Sequence, residues 1–238
     1  MEVKVDQRIV DQFDNVQIGV LVVKGLTNDY KNNYDEIDQL LKTAEKSVND
    51  HFKDKEITQD ETIIRWRGIY SQFGAKPSKF RCSIESLCRM VTSEKNDYQI
   101  RRINPLVDIY NYISLKHRIP VGGDDTDKVE GYIWLTVADG TEEFSVLNSG
   151  EKEFACEKEV IYRDEKEVLC RRWNWRESNK TKLDETTKNV CLFIEGVSVY
   201  SEEDMREILG EMAELVGKYC GGEASISVLN SKNLKLEI

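Results

Sequence analysis

The stretch from Cys170 to Lys182, CRRWNWRESNKTK, concentrates side chains that suit ligand binding, since five of its residues are basic and two are tryptophans. Tryptophan and arginine stack on nucleobases and other aromatic ligands. The ligand contacts predicted here are Arg171, Arg172, Trp173, Asn174 and Arg176. The alternative is a strand whose tryptophans face the core, because Trp173 and Trp175 are two residues apart and would share one strand face.

A second stretch, 65–89, mixes aromatic residues with arginine and lysine. Lys79 and Arg81 come just before a helix that is predicted to begin at Ser83. A helix N-terminus with cations beside it is an anion site, so this stretch predicts a clamp for a carboxylate or phosphate. The alternative is an aromatic helix face in the core with solvated charges around it.

The sequence gives little support for a metal site or for a histidine that acts as a general base. The segment GGDDTDKVEG, 122–131, offers carboxylates to a hard cation, but its glycine spacing is not that of an EF-hand, and Asp and Gly are also turn formers. The six cysteines form no CxxC pair, so we expect reduced, buried thiols, no metal site and no cofactor. His51 and His117 are the only histidines available as a general base.

Apolar spacing and capping signals place these residues on elements. Helices are predicted over 35–52, 60–73, from 83 onwards, over 105–115 and over 201–219, and Gly122 to Asp125 is predicted to be a turn. Strands are predicted over 16–24, 132–137, 144–147, 160–163, 168–172, 190–195, 224–229 and 234–238. Helices followed mostly by strands indicate an α+β fold, and the absence of a linker predicts a single domain over 1–238.

The overall charge of the 238 residues is −10, which argues against a non-specific nucleic-acid binder. Charge is uneven, because 61–120 carries a net +6, so the sequence allows either a basic face or ordinary solvated helix charge. No apolar run is long enough for a membrane span and Met1 to Val10 has no signal-peptide core. We therefore expect a soluble, cytoplasmic protein without a membrane partner.

A longer pattern starts at Asn104. The string NPLVDIYNYISLKHRIPVGGDDTDKVEGYIWL resembles the B3/B4 domain, the editing and tRNA-binding domain of the phenylalanyl-tRNA synthetase beta subunit. The 65–89 segment and RRWNWRES resemble the free-standing version of that domain. The similarity spans about 66–222. It implies a three-layer α+β unit that contains a β-sandwich of unusual topology.

In the synthetase, this domain hydrolyses the ester that links a wrong amino acid, tyrosine, to tRNA, and it needs no metal. The resemblance therefore implies binding of tRNA or aminoacyl-tRNA and a trans-editing deacylase. The family's pocket glutamate falls near Glu177, which would orient water or the amino group, while the family's histidine is replaced by Gly122. Asn111 and Asp125 would shape the pocket.

The arginines of the basic stretch would bind the charged groups of such a substrate. Arg171, Arg172 and Arg176 would contact phosphate or carboxylate, and these cations are expected to keep Glu177 ionised at a pocket rim.

A different class of function remains open, namely a non-catalytic binding module for a free amino acid or similar small carboxylate. A plain protein-interaction domain is the third alternative.

Overall fold

The computed structural model describes residues 1–31 and 33–238. Its α-helices are α1 Gln7–Gln12, α2 Tyr34–Phe52, α3 Glu61–Gln72, α4 Ser83–Val91, α5 Pro105–His117 and α6 Glu202–Tyr219. Its strands are β1 Glu2–Val5, β2 Gln17–Lys24, β3 Val121–Asp125, β4 Tyr132–Val137, β5 Glu143–Ser145, β6 Lys152–Phe154, β7 Val160–Arg163, β8 Val168–Arg171, β9 Arg176–Glu177, β10 Val190–Gly196, β11 Glu223–Leu229 and β12 Lys235–Glu237.

The strands form two sheets. The larger has the order β12-β1-β4-β7-β8-β5-β6, with β9 paired to β8. Its β1–β4 and β5–β8 pairs are parallel and its other pairs antiparallel. The smaller has the order β11-β2-β10-β3 and is wholly antiparallel.

The two sheets and two helices stack in three layers. Ile133 and Val160 of the larger sheet share one apolar core with Val20 of the smaller sheet. Leu21 and Leu192, on the other face of the smaller sheet, belong to a second core that α5 and α6 complete. The alternation of side chains along β2 thus serves both cores, as expected for a strand between two layers. The predicted three-layer α+β fold is confirmed.

Capping residues fix the helix starts that position the site. Asn104 accepts a hydrogen bond from the Val107 N–H and Pro105 takes the first helical position, so α5 begins where the sequence predicts it. Ser201 and Asp204 form a reciprocal capping box at α6. None of the helices in the described part of the chain is long and apolar enough to cross a membrane.

Two local predictions are wrong. The segment predicted to be a turn is the edge strand β3, because Gly122 and Gly123 lie opposite Phe193 and Leu192 of β10. The strand predicted over 168–172 ends at Arg171, since Arg172 and Trp173 adopt φ of 48° and 67°. This left-handed turn reverses the chain, so the two tryptophans do not lie on one strand face. Four elements, β1, α1, β6 and β9, are not predicted from the sequence.

Candidate functional site

A groove with two lobes lies between the start of α5, α4 and the loop after β9. The first lobe is a cavity of about 300 Å³ and the second of about 360 Å³. Both lobes share one wall, made of Ile103, Val107, Tyr110, Leu147 and Glu177. That wall is apolar except for the Tyr110 hydroxyl and the Glu177 carboxyl, which places one acidic group at the junction of the two lobes.

Each lobe has its own chemistry. The first is completed by the loop after β9, which contributes Thr181, Lys182, Leu183, Asp184 and Glu185. The second is completed by Leu87 and Met90 of α4, by Asn111 of α5 and by Trp175, Arg176 and Arg101. The second lobe therefore combines an apolar floor, a partly exposed aromatic ring and two guanidinium groups.

Glu177 sits on the two-residue strand β9, which pairs with β8 of the larger sheet, and its side chain reaches Gly122 of β3 in the smaller sheet. A Cβ atom at Gly122 would lie 2.6 Å from Glu177 Oε1, so the missing side chain of Gly122 makes the space that the carboxyl group occupies. Burial, followed by the nearby carboxyl groups of Asp124 and Glu195, raises the pKa of Glu177 well above its ordinary value. The prediction that neighbouring cations keep Glu177 ionised is wrong, because burial and two neighbouring carboxyl groups, rather than arginines, shift its pKa.

Behind Glu177 lies a small space of about 20 Å³, here called the inner chamber. Its walls include Glu195. The Glu195 carboxyl group accepts a hydrogen bond from the Asn174 amide, and the Asn174 oxygen in turn accepts one from the Tyr70 hydroxyl at 2.9 Å. Burial raises the pKa of Glu195 to about 8. Asn174, predicted as a ligand contact, lines the second lobe, and its side chain also belongs to this buried hydrogen-bond relay.

The two aspartates of β3 have different roles. Asp124 lines the inner chamber and accepts from the Thr181 hydroxyl, and burial raises its pKa to about 7. Asp125 accepts from the Thr187 hydroxyl at 2.8 Å and pairs with Lys128 at 2.9 Å. It lines none of these cavities and holds the following turn, so the prediction that Asp125 shapes the pocket is wrong. Asn111 does line the second lobe.

Most of the arginines predicted to contact a ligand bind to groups inside the protein instead. Buried Arg171 donates to both oxygens of Glu159, at 2.9 and 2.8 Å. Arg172 is also buried and stacks on the Phe80 ring, with its guanidinium carbon 3.7 Å from the ring centre. Neither arginine can reach a phosphate without breaking these contacts, so both predictions are wrong. Of the three arginines predicted in the basic stretch, Arg176 is the one that lines the groove.

Trp173 is fully buried and stacks edge-on against Trp66 and Phe13, with ring centres 5.3 and 5.1 Å apart. It cannot stack on a ligand in the groove, so that prediction is wrong. Trp175 lies instead at the second lobe, against Phe80 and below the Arg172 guanidinium. The left-handed turn at 172–173, which sends one tryptophan inward and the other outward, carries no glycine to reveal it.

The anion clamp at Lys79 and Arg81 before α4 stays a prediction, and other cations of the same segment pair inside the protein. Buried Glu85 accepts from Arg67 at 2.8 and 2.9 Å and from Arg89 at 2.9 Å, and Arg81 lies 3.7 Å away. Arg67 of α3 and Arg89 of α4 therefore neutralise an internal carboxylate. Exposed Lys79 lines none of the cavities described above.

Neither histidine is at the groove. His51 contacts Asp60 at 3.0 Å and His117 contacts Glu211 at 2.9 Å. Within residues 1–31 and 33–238, no cluster of three or more His, Cys, Asp or Glu side chains has an arrangement that could hold a metal ion. Groove residues that were not predicted as site residues include Tyr110, Arg101, Trp175 and Lys182. Trp175 and Lys182 lie within the basic stretch that signalled the site.

Comparison with known proteins decides the family. The model of the B3/4 domain matches residues 65–221, which include both lobes of the groove. The chain belongs to the B3/4 domain family.

Among curated relatives of this B3/4 protein is the phenylalanine–tRNA ligase beta subunit of Fusobacterium nucleatum. It is 28% identical over 132 residues, which are 56% of this chain and 16% of the relative, so the chain spans about a sixth of that protein. A solved N-terminal fragment of the phenylalanyl-tRNA synthetase beta subunit from Pyrococcus horikoshii matches with a TM-score of 0.47 and 16% identity. That match covers 93% of this chain and 49% of the fragment.

Proposed function

We propose that this B3/4 protein binds the aminoacylated end of a tRNA in the two-lobed groove and hydrolyses the aminoacyl ester. The observation that carries the proposal is Glu177, a carboxyl group with a raised pKa at the junction of two cavities. A carboxyl group whose pKa is raised above its ordinary value is, in its ionised form, a stronger base than an ordinary carboxylate. The tRNA-synthetase relative supports the choice of ester.

The groove matches the parts of such a substrate. The apolar side chain of an amino acid can pack on Val107 and Ile103, which both lobes share. The Trp175 ring offers a stacking surface for the terminal base. Exposed Arg101 and the Lys182 side chain stand at different lobes and can meet backbone phosphates.

Glu177 would act as the general base. Its ionised form takes a proton from a water molecule, whose oxygen forms a bond to the ester carbonyl carbon. The carbon–oxygen bond to the ribose then breaks, and the ribose oxygen receives the proton from Glu177. The products are a free amino acid and an uncharged tRNA, and the carboxylate is regenerated.

A second candidate is a binding module for a free amino acid. The observation that favours it is the internal use of the basic residues, since Arg67 and Arg89 neutralise Glu85 and Arg171 neutralises Glu159. With a net charge of −10, the chain offers a tRNA body only a limited basic surface.

Deacylation assays on tRNAs charged with apolar and aromatic amino acids test the proposal. We expect hydrolysis above the spontaneous rate, and a loss of about tenfold or more in Glu177→Gln, the usual minimum for a positioned acid–base group. The matched control is Glu203→Gln, an exposed glutamate of α6 that lines neither lobe, which should keep the rate. Full activity in Glu177→Gln would refute the assignment. Binding of free amino acids without deacylation would establish the second candidate.

A further inference from the structure

The smaller sheet has a long edge strand that is open to further pairing. The strand β11, Glu223–Leu229, pairs with β2 along its whole length without a bulge, and among the described residues no strand pairs with its outer side. Its backbone N–H and C=O groups that point away from β2 can therefore accept another strand. Residues 223–226 are exposed, among them Ile226. The sequence EASISVL contains no lysine or proline, which commonly block such an edge.

The other edges of the two sheets are protected. The larger sheet ends in β6 and β12, which have three residues each and begin with a lysine. The opposite edge of the smaller sheet is β3, which contains two aspartates. The loop after β9 covers this strand, since the Thr181 carbonyl oxygen accepts from the Asp125 N–H at 2.9 Å. The contrast indicates that β11 is left open for a partner.

The sequence of β11 is complementary to itself. In an antiparallel pair centred on Ser225, each Ile226 lies opposite an Ala224, so a large and a small apolar side chain meet on one face. The two Ser225 side chains lie opposite each other on the other face. Such a pair has a two-fold axis, which is the commonest symmetry of dimers of identical chains.

The charges at the strand ends favour the antiparallel arrangement. Glu223 begins the strand, and exposed Lys232 follows its end. An antiparallel pair brings the Glu223 end of one copy to the Lys232 end of the other, at both ends of the pair. A parallel pair would instead place the two Glu223 side chains next to each other, and like charges in that position are destabilising.

We propose that this B3/4 protein forms a two-fold symmetric dimer through antiparallel pairing of β11, so that the two smaller sheets become one continuous sheet. The partner at this edge is thus a second copy of the chain. The candidate groove lies beside β3, at the opposite edge of the smaller sheet, so the dimer leaves both grooves open. The dimer does not rest on the proposed function.

Sedimentation velocity over a series of protein concentrations tests the dimer. We expect the wild type to reach twice the mass of one chain as the concentration rises. Ser225→Lys and Ser225→Glu should each raise the dimer dissociation constant about tenfold or more, because each places two like charges opposite each other. Ser225 is exposed, so both variants should fold, which circular dichroism checks. The control Ser47→Lys, at an exposed serine of α2, should dimerise like the wild type.

A mixture of the two variants tests the pairing itself. Equal amounts of Ser225→Lys and Ser225→Glu should restore dimerisation, because opposite charges then face each other across the two-fold axis. A wild type that stays monomeric, or Ser225 variants that dimerise as tightly as it does, would overturn the proposal. A mixture that remains monomeric would overturn it as well, since restoration is expected wherever position 225 faces its own copy.

Discussion

At the scale of single residues, the two tryptophans of the WNW motif show how neighbouring side chains separate into core and site. Trp173 packs on Trp66 and Phe13 in the core between the sheets, while Trp175 stays partly exposed at the second lobe. The turn at 172–173 produces this difference. Function at this motif is therefore expected from Trp175 and Arg176.

The tryptophan pair can be tested by truncation. Trp173→Ala should lower the free energy of unfolding by about 3–5 kcal/mol, because it removes a fully buried aromatic ring. Trp175→Ala should destabilise the protein clearly less and instead weaken ligand binding in the groove. Urea unfolding followed by circular dichroism measures the first effect. Equal destabilisation by both changes would contradict the assignment of Trp175 to the site.

At the scale of elements, β3 explains the position of the candidate base. Its two glycines leave space on different sides, since a side chain at Gly122 would meet Glu177 Oε1 and one at Gly123 would meet Leu192 and the Cys191 carbonyl oxygen. The atom that faces Gly122 is the end of a flexible side chain, whereas the space beside Gly123 is closed by β10 itself. Gly122 therefore serves the groove and Gly123 serves the sheet.

This difference predicts opposite results for two alanine substitutions. Gly122→Ala should leave stability within about 1 kcal/mol of the wild type, because only the Glu177 carboxyl must move, but it should reduce deacylation. Gly123→Ala should cost about 1–3 kcal/mol by overpacking against β10. Thermal unfolding and the deacylation assay together check the pair. A Gly122→Ala protein with unchanged activity would argue against a role for the placement of Glu177.

The same element shows how far the sequence predicts the structure. Helix boundaries follow from capping residues such as Asn104 and Ser201, so α5 and α6 could be predicted closely. The sequence Gly-Gly-Asp-Asp is typical of a turn and becomes a strand only through pairing with β10 and through hydroxyl donors from Thr181 and Thr187. Those partners lie more than fifty residues away and leave no local signal.

The candidate site was predictable to a similar degree. A basic stretch with one glutamate pointed to Glu177, and the structure places this residue at the groove. The ionisation of Glu177 could not be predicted, because it depends on the burial of its carboxyl group and then on Asp124 and Glu195 from other strands. The fates of Arg171 and Arg81 likewise depend on the buried glutamates Glu159 and Glu85.

At the scale of the whole molecule, the buried acids make stability depend on pH. The folded protein keeps the Glu195 proton to about pH 8, whereas the unfolded chain releases it near the ordinary pKa of 4.5. The folded state thus binds more protons in this window, and stability falls as pH rises through it, by up to about 1.4 kcal/mol per pH unit for one such group. Glu177 and Asp124 act in the same direction.

Glu195→Gln should therefore flatten this dependence. The free energy of unfolding, measured with urea between about pH 5 and pH 8, should fall less steeply with pH than in the wild type. The exposed change Glu203→Gln serves as the control and should leave the slope unchanged. An identical slope in Glu195→Gln would mean that this carboxyl group is not held protonated.

The distribution of charge predicts how a tRNA would bind. Binding should weaken as salt rises, because neutralised phosphates release their counterions. Replacing Arg101 and Lys182 by Gln should reduce the slope of log K against log salt by about 0.7 for each single-strand phosphate that is no longer neutralised. Lys79→Gln, outside the groove, is the control. Absence of tRNA binding at low salt would remove tRNA from the partners of this chain.

The most direct test of the central claim is a calorimetric titration with an adenosine that carries an amino acid through a non-hydrolysable 3′-amide. If this groove holds an aminoacyl end, we expect saturable binding to the wild type. The affinity of Trp175→Ala should be about tenfold or more lower, in line with the roughly 1–3 kcal/mol of one base–aromatic stack. The same affinity should not be reached by the free amino acid or by adenosine alone. Absence of saturable binding, or equal affinity in Trp175→Ala, would contradict the claim that this groove holds an aminoacyl end.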